Sequence, residues 1–287
     1  MQSGVLQTVE MLFASTELAR RIEAAEGAMI EDCTAAIARR AGKDSAFSLA
    51  IGGGVAAFSG KDSPFTKVVG LGFEGVPASS ALERVEAEFG KRGAGVQVEL
   101  CALAEAGTAE MLARRGYVLV GFENVLGRAL DEPVVWRERA EIALERCADG
   151  ELEAWIDVVV SAFAVPDAQG VASHESFPRA ALERSVRDMT GARGLQRYLA
   201  RRGGALAGGA SMRIAGRVAQ LCGAGTLPEH RRCGVQGALL ERRLADAARA
   251  GCDVAVVTTL PGSKSQENVQ KHGFELLYAR AILRRSA

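Results

Sequence analysis

The chain has no excess of charge of either sign: 35 Lys and Arg residues face 35 Asp and Glu residues. A zero balance argues against a nucleic-acid or anionic-membrane partner, which would need a net basic face. Metal-binding spacings are missing as well. The six cysteines (Cys33, Cys101, Cys147, Cys222, Cys233, Cys252) are scattered without a C-x-x-C pair, and only three histidines accompany them. No structural metal site is expected from such a pattern, and free thiols fit a reducing cytoplasm. No apolar run approaches the ~20 residues that cross a bilayer. The stretch MQSGVLQTVEMLFASTELARRIE lacks a basic segment followed by an apolar core, so no secretory leader is expected.

What is present is ordinary soluble material: 287 residues, 48% hydrophobic and 24% charged. That is enough for two domains, each with its own core. Residues 1–41 carry apolar positions at three- and four-residue steps and read as helical, closed by Gly42. FSLAIGGGVAAF (Phe47–Phe58) reads as a hairpin around its glycine triplet. A strand is expected at Thr66–Gly75, a helix at Ala81–Phe89, a strand at Val96–Cys101, a helix at Thr108–Arg115 and a strand at Val118–Leu126. Asp131-Glu132-Pro133 is the natural boundary. After it come a strand at Val134–Leu144, helices at Gly150–Phe163 and Arg179–Thr190, and a second hairpin over 195–214.

The densest signal runs from Arg217 to Asn268. A strand (Val218–Thr226) leads through a basic turn (Arg231–Gly237) into a helix with Leu240, Leu244, Ala247 and Ala248 on one face. An apolar strand, Val254–Thr258, follows as in a right-handed parallel crossover. Arg231, Arg232, Gly234 and Gly237 stand just before or at the helix start, where free backbone N–H groups and the positive helix end suit a pyrophosphate. The order T-x-P-x-x-R-x-x-G, an amphipathic helix, an apolar strand, then Asn268 and Gly273-Phe274 resembles the GNAT superfamily of acyl-CoA-dependent N-acyltransferases over roughly 196–285. Thr226 stands where that family usually has valine, and Gln236 where it has a small residue.

The resemblance implies an α/β (α+β) fold with a mixed, mostly antiparallel sheet flanked by helices, and acetyl-CoA as cofactor. It implies a cofactor site made of Ala224, Gly225, Thr226, Leu227, Arg231, Arg232, Cys233, Gly234, Val235, Gln236, Gly237 and Asn268. The two halves also repeat. KVVGLG matches RVAQLC at an offset of 150, as AIGGGVA matches ARRGGAL, and the stretch around Gly116 matches that around Gly273 at an offset of 157. The seven residues gained between these anchors fall in the interval holding the Arg231–Gly237 turn, and Met111 stands in the first half where Asn268 stands in the second. The expectation is a tandem fold: residues 1–130 a degenerate copy without the cofactor loop, residues 131–287 the acetyltransferase domain.

Acyl transfer from a thioester to an amine needs a held carbonyl, a deprotonated amine and a route for the departing thiolate. The family's tyrosine, four residues before the G-F pair, is Val269 here. The candidates left for proton transfer are Tyr278, with Tyr198 behind it, and the loop pair His174-Glu175 beside the acceptor cleft. Gln220 and Cys222 could line that cleft. The reading is therefore an N-acetyltransferase working by direct attack of an amine, with a small-molecule acceptor expected and a homodimer compatible with it. A non-catalytic acyl-CoA-binding protein and a peptide or protein N-acetyltransferase are the alternatives.

Overall fold

The computed structural model describes residues 12–42, 44–132, 134, 136–165 and 178–287. A helix α1 (Thr16–Ala41) opens it; Ser15 Oγ accepts from the Leu18 N–H at 3.1 Å, and Gly42 ends the helix at a positive φ. Then follow β1 (Phe47–Ile51), β2 (Gly54–Phe58), β3 (Lys67–Val69), α2 (Ser79–Gly90), β4 (Val96–Cys101), α3 (Gly107–Arg114) and β5 (Val118–Ala129). The second half holds β6 (Ile142–Arg146), α4 (Leu152–Ala164), α5 (Arg179–Met189), β7 (Leu195–Arg202), β8 (Ala205–Ala215), β9 (Val218–Thr226), α6 (Val235–Arg249), β10 (Val254–Thr259), α7 (Lys264–Gln270) and β11 (Glu275–Arg285).

Among the described residues, the eleven strands form one sheet in the order β1-β2-β3-β4-β11-β5-β10-β9-β8-β7-β6. Its symmetry is a pseudo-dyad between β11 and β5. Each half ends by sending its last strand into the other: β11 pairs with β4, and β5 pairs with β10. In the central antiparallel pair, Glu275 faces Gly127 and Arg284 faces Val118, which are the same pair under the 157-residue offset. Glu123 and Arg280, themselves equivalent, face each other at the dyad, and the two register shifts lie symmetrically about them. In the hairpins the turn pairs Gly52-Gly53 and Gly203-Gly204 coincide, so the equivalence there is offset by 151 rather than 150 residues.

Helix α1, about 39 Å long at 1.5 Å per residue, covers one face across both halves. Its buried positions Met29, Ile30, Cys33 and Ile37 share a core with Trp155, Val159 and Leu199 of the second half. Arg21 pairs with Asp253, Arg40 with Asp188, and Asp32 with Arg213. On the opposite face α2 and α3 pack with Val68, Val96, Val98 and Leu100, and α6 packs with Ala219, Ala255 and Phe274.

Three elements differ from the sequence reading. The strand expected at Thr66–Gly75 stops at Val69, where Gly70 takes a positive φ, and the chain turns instead of continuing. The strand expected at Val134–Leu144 is only β6, Ile142–Arg146. The helical region expected over 1–41 begins, among the described residues, at Thr16, because Ser15 caps the helix there.

Candidate active site

Strands β9 and β10 are parallel and register for only three residues, from Val218↔Val254 to Gln220↔Val256. Beyond that point each keeps its outer neighbour. β9 stays on β8 as far as Thr226↔Gly208, and β10 stays on β5 as far as Thr259↔Asn124. The sheet thus opens between 221–226 and 257–259, leaving backbone N–H and C=O groups on both lips without a ladder partner. The buried hydroxyls of Thr226 and Thr259, at the ends of these lips, have no hydrogen-bond partner among the described residues. Helix α4 closes the β9 side tightly: a Cβ on Gly225 would lie 2.5 Å from that of Ala162, and Trp155 Nε1 donates to the Ala210 carbonyl at 3.1 Å.

From Thr226 the chain makes a short 3-10 turn at Pro228–His230 and enters α6 through Arg231–Gly234. Gly234 is the N-cap at φ 81°, and Arg232, at φ 60°, is the one non-glycine residue of positive φ among those described. This winding leaves the backbone N–H groups from Arg232 through Gly237 without an acceptor among the described residues; the first helical bond is from Ala238 to the Gly234 carbonyl, at 3.0 Å. A row of outward N–H groups at the positive end of a fifteen-residue helix is suited to a phosphate. The Arg232 side chain is exposed beside it.

Arg231 is placed differently from the sequence expectation. Its guanidinium turns inward, with Nε 3.3 Å from the Thr226 carbonyl and Nη2 on the carbonyls of Ala162 and Val165. It ties the end of β9 to the C-terminus of α4 and so shapes the turn. The cation that sequence reading missed is Arg139. From the segment joining the halves it donates to the Gly234 carbonyl at 3.0 Å and to Glu241 Oε1 at 2.8 Å. A Cβ on Gly234 would meet its Nη1 at 2.8 Å. The only sequence signal was the spacing of Arg137 and Arg139 in a stretch that read as a strand.

Asn268 lies half-buried on α7; its carbonyl accepts from His272 Nδ1 at 2.8 Å, and its side chain bonds to nothing among the described residues. His272 lies 3.6 Å from Glu241, so α7 is tied to the same helix start that Arg139 holds. Ala224 and Val257 pack on the α6 side of the opening.

Neither tyrosine expected in proton transfer lies at this opening. His174 and Glu175 lie outside the described residues. Tyr278 is buried on the α1 face, where its hydroxyl donates to Glu23 Oε1 at 2.9 Å. Burial and the neighbouring Glu23 push that phenol well above its ordinary range. Tyr198 is buried as well, bonded to Gln196 and Asp246. Gln220 is drawn into a bridge between Arg213 and Glu26. Cys222 contacts Ser211 Oγ at 3.3 Å, and burial raises its pKa, so the thiol stays protonated and is a poor nucleophile.

In the first half the equivalent parallel pair, β3 and β4, registers only at Val68↔Val98 and Val69↔Glu99, and among the described residues the space beyond is filled. After β3 the chain folds back between β3 and β4, burying Leu71 against Leu82, Val98 and Leu112, and Phe73 against Cys101, Val125 and Tyr278. The Ala102 N–H reaches the Ala279 carbonyl at 3.0 Å and the Glu105 N–H reaches that of Gly72 at 3.0 Å. The place equivalent to the β9–β10 opening is filled with side chains.

Residues 163–274 match the model of the acetyltransferase (GNAT) family. Among curated proteins none matches the sequence. Solved structures agree on the fold. A GCN5-related N-acetyltransferase from Kribbella flavida superposes with a TM-score of 0.64 at 18% identity, covering 96% of this chain and 97% of that one. A tandem GNAT protein from the clavulanic acid biosynthesis pathway has a TM-score of 0.58 at 16% identity, covering 81% and 78%. A GCN5-related N-acetyltransferase from Sphaerobacter thermophilus has a TM-score of 0.55 at 17% identity, covering 72% and 67%. Residues 163–274 thus match the acetyltransferase (GNAT) family, and the chain as a whole has the fold of the tandem GNAT protein and the GCN5-related N-acetyltransferases.

Proposed function

We propose that the chain is an N-acetyltransferase that takes its acetyl group from acetyl-CoA and transfers it by direct attack of an amine. The observation that carries this reading is the opening between β9 and β10, which leads directly to the unpaired N–H row from Arg232 to Gly237. The diphosphate of the cofactor would be held by that row, and the lips of the opening would take the amide-bearing arm as a further strand. The orphaned Thr226 and Thr259 hydroxyls supply polar partners there. When bound, the cofactor supplies an activated acyl thioester. The chain's part is to fix the carbonyl against backbone donors and admit the amine from the sheet end. Cys222, held protonated, favours direct attack over an acyl-enzyme.

A small-molecule amine and a peptide are both acceptors for which this chemistry would serve. What separates them is the surface at the mouth of the opening. The Leu71–Phe73 plug supports a single cofactor site per chain, in the second half. Calorimetric titration with acetyl-CoA, with CoA as comparator, tests this: one site per chain is expected, followed by CoA release when an amine is added. Two sites would refute the plugged first half. Tight binding without turnover for any amine would leave an acyl-CoA-binding protein.

A further inference from the structure

Seven charged residues of the described chain are buried, and six of them have an opposite charge beside them. Arg280 pairs with Glu23, Arg213 with Asp32, Asp188 with Arg40, Glu99 with Lys67, and Asp246 with Arg242. The seventh, Arg243, has no acidic partner among the described residues. It is 2% exposed on the sheet-facing side of α6 and bonds only to carbonyls, Nε to Leu239 at 3.1 Å and Nη1 to Ser211 at 3.0 Å. Its Nη2 makes no hydrogen bond among the described residues. Burying a lone cation is costly, and folds normally place a carboxylate beside it or an apolar side chain instead. Burial draws the guanidinium down to about 10, so it keeps its charge at neutral pH.

Its place in the sheet gives the charge a use. Ser211, whose carbonyl it holds, faces Cys222, and there the β8–β9 register slips: the next pair is Gly209↔Gly225. The skipped Ala210 carbonyl accepts from Trp155 instead, and Gly223 turns to φ 55°. This irregular segment lies just past Gln220↔Val256, the last pair that β9 makes with β10. It is the inner end of the opening, away from the N–H row of 232–237 that follows Thr226. An arm held by its diphosphate at that row would bring its thioester to this inner end. The charge of Arg243 already reaches Cys222 there, working against the rise in thiol pKa that burial causes.

We infer that Arg243 is a built-in counter-charge for the negative charge that develops on the thioester during transfer. It is a positioning residue that acts through its field across β9 and touches no reacting atom. This rests on the acetyltransferase reading above. The neutral amine nitrogen bonds to the carbonyl carbon, and the C=O electron pair moves onto oxygen. When that pair returns, the C–S bond breaks, and the departing thiolate takes the proton that the nitrogen sheds. The products are an amide and a thiol. Negative charge sits first on oxygen and then on sulfur, and a cation fixed by the fold favours both without reorganisation. A carboxylate beside Arg243 would cancel this field, which accounts for its absence. An arm lying beside β9 is two strand spacings, ~10 Å, from β8. At an effective dielectric of ~20, one charge at that distance favours an anion by about tenfold.

The test needs no acceptor. It uses the full chain and two unreactive CoA thioethers in calorimetry: acetonyl-CoA, with a neutral ketone, and carboxymethyl-CoA, with a carboxylate where the charge would develop. Arg243→Met should weaken carboxymethyl-CoA by about tenfold and leave acetonyl-CoA unchanged. Arg243→Gln drops the charge but keeps a donor for the Ser211 carbonyl, so it gives the same answer if the Met variant does not fold. Arg243→Lys, which keeps the charge, should retain most of the affinity for carboxymethyl-CoA. The neutral variants should melt within a few degrees of the parent, because a desolvated charge is removed along with its bonds. If the neutral variants weaken both thioethers equally, Arg243 only braces β8, and the inference falls while the acetyltransferase reading stands. Unchanged binding of both thioethers would overturn it as well. If neither thioether binds the parent protein, both the inference and that reading fall.

Discussion

At the scale of single residues, the turn into α6 divides labour between two adjacent arginines. Arg231 is spent on carbonyls of β9 and α4, so Arg231→Ala should act first on the fold. Its charged donors contribute about 1.5–3 kcal/mol each to such bonds at most; a melting-temperature drop of several degrees is expected, with weaker acetyl-CoA binding as a consequence. Arg232→Ala, at an exposed side chain, should lower acetyl-CoA affinity a fewfold in calorimetry and leave the melting temperature alone. Equal effects of the two variants on melting temperature would contradict this division. Gly234→Val meets two obstacles at once: φ 81° disfavours any Cβ, and that Cβ would lie 2.8 Å from Arg139 Nη1. Loss of acetyl-CoA binding is expected, and wild-type affinity would show that neither the turn nor Arg139 matters.

At the scale of elements, ion pairs connect each exchanged strand to the half that receives it. Glu86 on α2 is the clearest case, accepting from Arg115 at the end of α3 and from Arg285 on β11. Burial by itself would raise its pKa, but the hydrogen bonds from Arg115 and Arg285 outweigh it and hold the carboxyl below the usual range. The folded pKa being the lower one, this stabilisation is present above the ordinary carboxylate pKa and is lost as pH falls through the depressed value. Glu86→Gln should therefore lower the melting temperature at pH 7. The difference from the parent protein should shrink below about pH 4. A difference independent of pH would mean that the charge of Glu86 is not what binds these elements. The hairpins, α2, α3 and α5 were all legible from periodicity, since each needs only its neighbours in sequence. β6 was misjudged because Arg139, counted within a strand, is taken by the start of α6 some hundred residues later.

The whole molecule is a single sheet with two exchanged strands, and that governs how it can be divided. Residues 131–287 alone would lack β5, leaving β10 and β11 with open edges at the centre of the sheet. Expressed alone, this half should be aggregated or lack a cooperative melt, whereas co-expression with residues 1–130 should restore a one-to-one complex that binds acetyl-CoA. A monomeric, cooperatively folded second half would overturn the importance of the exchange. A polar cavity of about 160 Å³ lies elsewhere, between α1, α5 and the β2–β3 turn. It has no part in the mouth of the opening.

What the sequence determined by itself was local or repeated: the glycine-bearing turn before α6, the amphipathic helix behind it and the repeat of the two halves. The 157-residue offset read from the sequence reappears as the symmetry of the β5–β11 register. Only the tertiary structure decided which strands pair, since strand exchange changes no local propensity or periodicity and depends on contacts between distant segments. It likewise decided that Tyr278 serves a buried bond to Glu23, that Leu71 and Phe73 fill the first opening, and that Arg139 joins the turn. Each of these depends on a partner far away in the chain, and nothing in a local pattern encodes its distance.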